Sequence, residues 1–513
     1  METSETTIYD KQQRPDAIGD GKVSRWIRLG VILMMLAIPA RIISRGYLPE
    51  DDALRYAAKA VSGKPWKDIL VLGNTYTVDH NFGWQALLRK IYVTTDCDTE
   101  RLVDLSVLLL FALAGCAALP WLKRPEAWLG TLLVFSVGWP QLTSRLMIGR
   151  PLLLSMVMLM TVLFLWHARR SSQPGSWTTA SIALFIGIAV FCHGVWYLWT
   201  LPVVAFLLAR EFRWAICLGT GWLVGTLVAA TLTGHPLAFL FEAVEMAVRA
   251  IGLHPTARTM VPELQPASGG LAFFLLLGAL WVLRQITGLR ARPFTSSPIF
   301  WMACLGWTLG FLSRRFWDDW GLPALMVLAA CDVDLLLQSK IHENSLKRIA
   351  LGGSLVVVIC LVFTSDLDSR WTRSLTWQFL KQDDPELAGW LPDKGGIFYA
   401  ADPSFFYETF LKNPKADWRY ILGFEMTLMP KDDFKILYRI LWNNNAAQAY
   451  APWVEKMRPQ DRLFIRANSG SPPPISGLEW HYTLGGMWSG RLPRTNPPPV
   501  KTESPGNSPD QGR

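Results

Sequence analysis

Paired cysteines are missing from this sequence. None of the seven stands in a CxxC arrangement, and six (Cys116, Cys192, Cys217, Cys304, Cys331, Cys360) fall inside apolar runs, where they read as small core residues. Cys97 alone lies in a stretch expected to be exported, so no disulfide framework is available. HExxH is absent as well, leaving a zinc hydrolase unsupported. Charge is scarce: 18% of the 513 residues are charged, against about a quarter in soluble domains. That excludes an ordinary soluble globular protein. The apolar runs carry almost no charge at their centres and no internal repeat appears. Both absences count against a transporter or flippase, a class that uses midplane ionisable groups and repeated halves.

What is present in quantity is apolar surface. Hydrophobic residues make up 51% of the chain, with 25 Trp and 25 Phe, and they cluster in runs of roughly 17 to 22 residues, the length that crosses a bilayer as a helix. Eleven such runs stand at about 27–45, 103–122, 127–143, 151–168, 178–193, 195–209, 214–233, 270–288, 297–313, 321–338 and 349–365. The expected fold is a polytopic α-helical membrane protein of about eleven transmembrane helices with a small C-terminal exported α/β domain. The formal net charge of +9 then reports topology rather than nucleic-acid binding. Lys22, Arg25 and Arg28 precede the first run, which lacks a cleavage site and reads as a retained anchor. Alternation puts Lys123 and Arg124, Arg169 and Arg170, Arg210 and Arg213, Arg290 and Arg292, and Lys340 and Lys347 on the same, cytoplasmic side.

The remaining parts divide as a cytoplasmic leader (1–25), a transmembrane region (26–365) with a long first exported loop (46–102), an exported domain (366–490) and a Pro-rich disordered tail (491–513). In the exported domain, "GIFYA", "RYILGF" and "DRLFIRA" alternate like strands, and "SFFYETFLK", "DDFKILYRILWNN" and "AQAYAPWVEKM" are helical. A second exported loop, about 234–269, carries His235, Glu242, Glu245 and His254. Its acids read as the wet face of an interfacial helix.

The first loop opens on "PEDDALRYAAKAV". Leu54, Ala57, Ala58 and Val61 recur at helical spacing with Arg55 and Lys59 elsewhere on the cylinder, and the acids Glu50, Asp51 and Asp52 stand at the helix start. Two roles fit such acids: capping free amides, or accepting a proton from a hydroxyl that attacks at the membrane surface. "TVDHNFGWQALLRKIY" repeats the design, with Asp79 and His80 ahead of Phe82, Trp84, Leu87, Leu88 and Ile91 facing the interface and Arg89 and Lys90 facing headgroups. Arginines stand where the positive-inside rule would not put them: Arg145 and Arg150 in "SRLMIGRP", Arg314 and Arg315 in "FLSRRFWDDWGLP", and Arg41 and Arg45 in the last turns of the first run. They either pair with Asp318, Asp319 or lipid, or bind a phosphate. In "FCHGVWYLWTLP", His193 lies within an aromatic interfacial belt.

The order of these features resembles the C-type glycosyltransferase (GT-C) superfamily, and looks closest to its bacterial branch related to aminoarabinose transferases and protein O-mannosyltransferases. The likeness covers roughly residues 26–365 and rests on "EDD", "DHNFGW" and "SRRFWDDWGLP". It implies an inverting transfer of a sugar from a polyprenyl-phosphate carrier to a glycan, lipid or protein hydroxyl at the outer face of the cytoplasmic membrane. Asp52 would be the base, with Asp51 and Glu50 as the other candidates. Asp79 and His80 would orient the acceptor or a metal, and Arg145, Arg150, Arg314 and Arg315 would hold the carrier phosphate. A divalent cation, Mg or Mn, would bind Asp51, Asp52 and Asp79 if one is used. An O-antigen-ligase-like or polymerase enzyme is the nearest rival, though its functional loop comes late in the chain. A membrane scaffold in which "EDD" is only a cap is a further one.

Overall fold

The structure, a computed structural model, describes residues 17–74, 76–251, 262–286, 293–340, 345–467 and 470–493. His254, Arg290, Arg292, most of the leader and nearly all of the Pro-rich tail lie outside them. After α1 (Ala17–Ile43), the first loop forms α2 (Asp52–Ser62) and α3 (Phe82–Thr95). The bundle continues through α4 (Thr99–Cys116), α5 (Pro125–Gly138), α6 (Pro140–Leu146), α7 (Leu152–Arg169), α8 (Ser176–Cys192), α9 (Thr200–Leu208) and α10 (Phe212–Leu232). It closes with α11 (Pro236–Ile251), α12 (Gly270–Ile286), α13 (Pro298–Gly310), α14 (Leu322–Lys340) and α15 (Ser345–Thr364).

Among the described residues, five helices are long and apolar enough to cross a membrane: Gly21–Ile43, Leu152–Arg169, Phe212–Leu232, Arg314–Ser339 and Ser345–Thr364. The chain is therefore built as a helical membrane protein, but the expected count of eleven is not met. Local chemistry makes several helices shorter than their apolar runs. The run at 127–143 breaks at Gly138 and restarts at Pro140, because proline cannot donate into the helix before it. The run at 195–209 begins with a 3-10 turn, Trp196–Trp199, and leaves α9 with nine residues. The run at 103–122 stops as a helix at Cys116, and α4 carries Glu100, Arg101 and Asp104 near its start. Shorter helices still pack tightly where residues are small. Gly225 faces Gly187 and Ala183, so α8 and α10 cross almost backbone to backbone.

The first loop and the C-terminal region lie at one end of α1. Five strands, β1 (Ile397–Ala400), β2 (Arg419–Tyr420), β3 (Arg462–Arg466), β4 (Glu479–Tyr482) and β5 (Met487–Arg491), form one sheet in the order β2-β1-β3-β5-β4. β1 runs parallel to β2 and β3, and β5 runs antiparallel to β3 and β4. Around the sheet stand α16 (Ser404–Lys412), α17 (Lys431–Trp442) and α18 (Ala451–Lys456). Phe398 and Phe464 stack at 4.0 Å in the core. The outer neighbour of the short β2 comes from the first loop: Val71 donates to Tyr420 at 2.9 Å, and Tyr420 donates to Ile69 at 2.8 Å. Main-chain pairing thus fixes the loop to the sheet.

Gly73 makes the next contact. Its N–H donates to the Leu428 carbonyl at 2.8 Å, and a Cβ added there would sit 2.6 Å from Pro430 Cα. Gly73→Ala should therefore loosen the loop from the sheet domain, with a loss of about 1–3 kcal/mol. Faster hydrogen exchange at Val71 and Tyr420 amides would report it, and unchanged exchange would count against this docking.

Candidate functional site

Asp51 stands immediately before α2; its carbonyl accepts from the Leu54 amide at 2.8 Å while its side chain caps nothing. The carboxylate is instead held by Arg150, whose Nε donates to Oδ1 at 2.7 Å. Arg150 reaches it because Gly149 adopts φ +66° in a space where a Cβ would meet Val107 at 2.9 Å. Only glycine suits such a turn. Asp52, one residue on, accepts from Arg55 Nε at 3.0 Å and from the Tyr407 hydroxyl at 3.2 Å, both at Oδ1. Its Oδ2 makes no hydrogen bond among the described residues, and Arg150 Nε lies 3.7 Å from it.

A third acid closes the network. Glu263, in the 3-10 turn Pro262–Leu264, accepts from Arg145 at 2.8 Å, from Arg150 at 3.1 and 3.2 Å, and from Arg315 at 2.6 and 2.9 Å. Arg145 also donates to Asp319 at 3.0 Å. Asp319 lies on a π-helical turn, Trp317–Gly321, that leads into α14. Such turns widen a helix locally and recur at functional sites. Three guanidinium groups from two distant segments therefore converge on one carboxylate.

Arg55 joins this network to a second one. Its guanidinium, set apart from the helix's apolar positions in the sequence, is buried because NH1 also donates to Asp79 at 3.2 Å and the group lies 3.8 Å from the Phe424 ring centre. Asp79 accepts further from Trp66 at 3.0 Å, Gln85 at 2.7 Å and the Asn81 amide at 2.8 Å. α3 is likewise not simply interfacial: Trp84 and Leu88 are buried against protein, and Arg89 donates to the carbonyls of Ala60 and Val61 at 2.8 and 3.1 Å. His80 sets Nε2 3.0 Å from Met246 Sδ.

Burial and charge push these acids apart. Burial, the larger influence on Asp51, lifts its carboxyl above the ordinary value despite Arg150. Its side chain nonetheless keeps 28% exposure, so water retains access. Asp52 is also raised by burial, but Arg55 and Arg150 outweigh that and leave it below its ordinary value. Burial likewise opposes the charge of Glu263, yet Arg150, Arg315 and Arg145 hold it well below the usual range. Burial keeps His80 low and neutral.

The other candidates stand elsewhere. The Glu50 side chain is 62% exposed, 3.8 Å from Arg373. Arg314 turns back to Asp318 at 2.7 Å, and Arg45 donates to the Thr364 carbonyl at 3.0 Å. His193 Nδ1 lies 3.0 Å from Ser155 Oγ, and Glu242 accepts from the amides of Thr77 and Val78 at 3.1 and 3.3 Å. Glu245 pairs with Arg249 on the same helix.

No protein-family model matches the chain, and no curated protein matches it.

Among the described residues, no group of three or more His, Cys, Asp or Glu is arranged to hold a metal. Asp51, Asp52 and Asp79 do not converge, because the Arg55 guanidinium stands between Asp52 and Asp79 and bonds to both. As arranged, the three acids do not fit a divalent cation. Two contributors escaped the reading of the sequence. Glu263 is a lone acid between Pro262 and Pro266, and that isolation was its only signal. Tyr407 belongs to "SFFYETFLK", read as a helix. Phe405 and Phe406 are core, while the third aromatic reaches Asp52 from the C-terminal domain.

Proposed function

We propose that this protein is an integral membrane glycosyltransferase of the GT-C type. It would move a sugar from a polyprenyl-phosphate carrier to a hydroxyl acceptor at the outer face of the cytoplasmic membrane. The supporting observation is the convergence of Asp51 and Asp52, at the start of the first loop, with Arg145, Arg150 and Arg315 from two distant segments. The reaction needs an acid-derived base beside a cationic site for a departing phosphate, and that pairing is what this network offers.

In this scheme the acceptor oxygen bonds to the anomeric carbon as the bond from that carbon to the phosphate oxygen breaks, with inversion. The hydroxyl proton passes to Oδ2 of Asp52, the oxygen with open lone pairs. Arg55 and Tyr407 fix the opposite oxygen and so aim the acid. The carrier phosphate leaves as an anion onto Arg145, Arg150 and Arg315. Asp51 orients Arg150. In topology, the first loop and the sheet domain would both be exported, and the shorter apolar helices would complete a span count near eleven. The protein in nanodiscs, given polyprenyl-phosphate sugars and a mixed hydroxyl-acceptor pool, should release free carrier phosphate. No release from any such donor would overturn the proposal.

Glu263 occupies the position that a phosphate would take among the three arginines, so it competes with the carrier. Glu263→Gln should tighten binding of polyprenyl phosphate by about tenfold, equivalent to ~1.4 kcal/mol. Titration of the nanodisc protein with polyprenyl phosphate reads this directly. Weaker binding by the variant would make Glu263 a scaffold for the arginines instead.

A further inference from the structure

A cavity of about 730 Å³ opens on the other side of α2, between that helix, α3, the stretches 63–74 and 76–78, and the corner at Thr233 and His235 where α10 passes into α11. Asp79 alone among the acids discussed so far lines it, and the Arg145–Arg150–Arg315 network does not. Its walls carry the cations Lys59, Lys67 and Arg89 and the rings of Trp66, Tyr76 and Phe82.

The charges there are unbalanced. Lys59 Nζ donates to a backbone carbonyl, that of Lys64 at 2.6 Å, and lies 5.3 Å from the Trp66 ring centre. Arg89 donates through NH1 to two more carbonyls and lines the cavity. Among the described residues, no carboxylate lies within ion-pair distance of Lys59, Lys67 or Arg89. Asp79 does not supply the missing charge, since both its oxygens are already engaged by Arg55, Trp66, Gln85 and Asn81. The Tyr76 hydroxyl is buried and has no hydrogen-bond partner among the described residues. Burial also works against the charge on Lys59, with Arg89 adding to the effect and Asp79 opposing it. Three cations, one idle phenol and one neutralised acid suit an incoming anion with oxygen acceptors.

We infer that this cavity binds a phosphate ester, at a site separate from the arginine network. Lys59 and Arg89 would take the phosphate oxygens, Tyr76 would donate to one of them, and the aromatic wall would cover the apolar or sugar part of the ester. A soluble metabolite and a lipid headgroup present the same phosphate ester to these cations.

Acylation of Lys59 by an amine-reactive reagent, followed by peptide mass spectrometry, tests the site without any assay of sugar transfer. In phosphatidylcholine nanodiscs, phenyl phosphate should slow Lys59 acylation by about fivefold or more, in keeping with a charge-assisted pair. Lys435, exposed on α17, should not respond. Replacing part of the phosphatidylcholine by phosphatidic acid gives the lipid arm. Protection by either compound supports the site and names its source. Equal acylation rates in all three conditions would overturn the inference. A second measurement guards against an unreactive Lys59: calorimetric titration with phenyl phosphate, where Lys59→Met or the exposed Lys67→Ala should each weaken binding several-fold. Affinity unchanged in both variants would also overturn it, whatever becomes of the glycosyltransferase proposal.

Discussion

Asp52→Asn is expected to slow sugar transfer by about 10²–10⁴-fold, the range that a positioned general base contributes, while leaving the fold intact. The amide keeps an oxygen for Arg55 and Tyr407, and Arg55 keeps its pairing with Asp79. What disappears is the charge on the oxygen that accepts the proton. Asp51→Asn should act differently, because it weakens the grip on Arg150 without touching the base. Its expected signature is a raised KM for the carrier with a smaller change in kcat. The pH profile gives an independent check. Asp52 has its carboxyl held below the ordinary 3.8, so it is ionised, and the wild type active, at all pH values above that. Activity controlled by this group is lost only as the pH falls through its lowered folded value. An acid limb near neutrality, or an Asp52→Asn variant at full rate, would remove Asp52 from the mechanism.

The parts of this site that were legible in the sequence are those marked by sidedness and order. "EDD" directly after an apolar run, and Arg145, Arg150 and Arg315 at run ends where basic residues are unexpected, stand out because charge beside a bilayer needs a reason. Asp319 was also legible as an arginine partner, by its place in "RRFWDDW". What stayed hidden depends on contacts far apart in the chain. Helical spacing sets Arg55 apart from the apolar positions, and nothing local says that Asp79 and Phe424 will enclose it. Tyr407 looks like its two core neighbours until the sheet domain docks. That docking rests on Leu70 beside Tyr420, a pairing of loop to strand that no window of sequence contains. β4 and β5 were missed for a related reason: "EWHY" and "MWSGR" mix large, small and polar residues, and their alternation is satisfied only against each other and β3. The helical runs were found, but apolar length overstated helix length wherever proline or a 3-10 turn intervened.

The second large effect is expected at the opposite end of α1. There Arg348 Nε donates to Glu126 at 2.8 Å, and NH2 donates to the other carboxylate oxygen at 3.3 Å and to Ser24 at 2.9 Å, joining α1, α5 and α15. Both side chains are almost wholly buried, 3% and 2% exposed. Arg348→Met would leave the Glu126 carboxylate buried without this cation, and breaking a buried pair from one side removes about 3–5 kcal/mol. The variant should therefore unfold at a clearly lower denaturant concentration in detergent, read by tryptophan fluorescence. Adding Glu126→Met to it should recover most of the loss, because the Glu126 charge is then no longer stranded. Ser24 and Ile43 are separated by about 28 Å of helix at 1.5 Å per residue, so neither substitution reaches the Asp52 network. The double variant should consequently transfer sugar at the wild-type rate. If Arg348→Met is as stable as the wild type, the three helices are held at this end by their apolar faces alone. If the double variant is stable but inactive, the two ends of the bundle are coupled, and loss of activity in Asp52→Asn could not then be assigned to the site without a matching stability measurement.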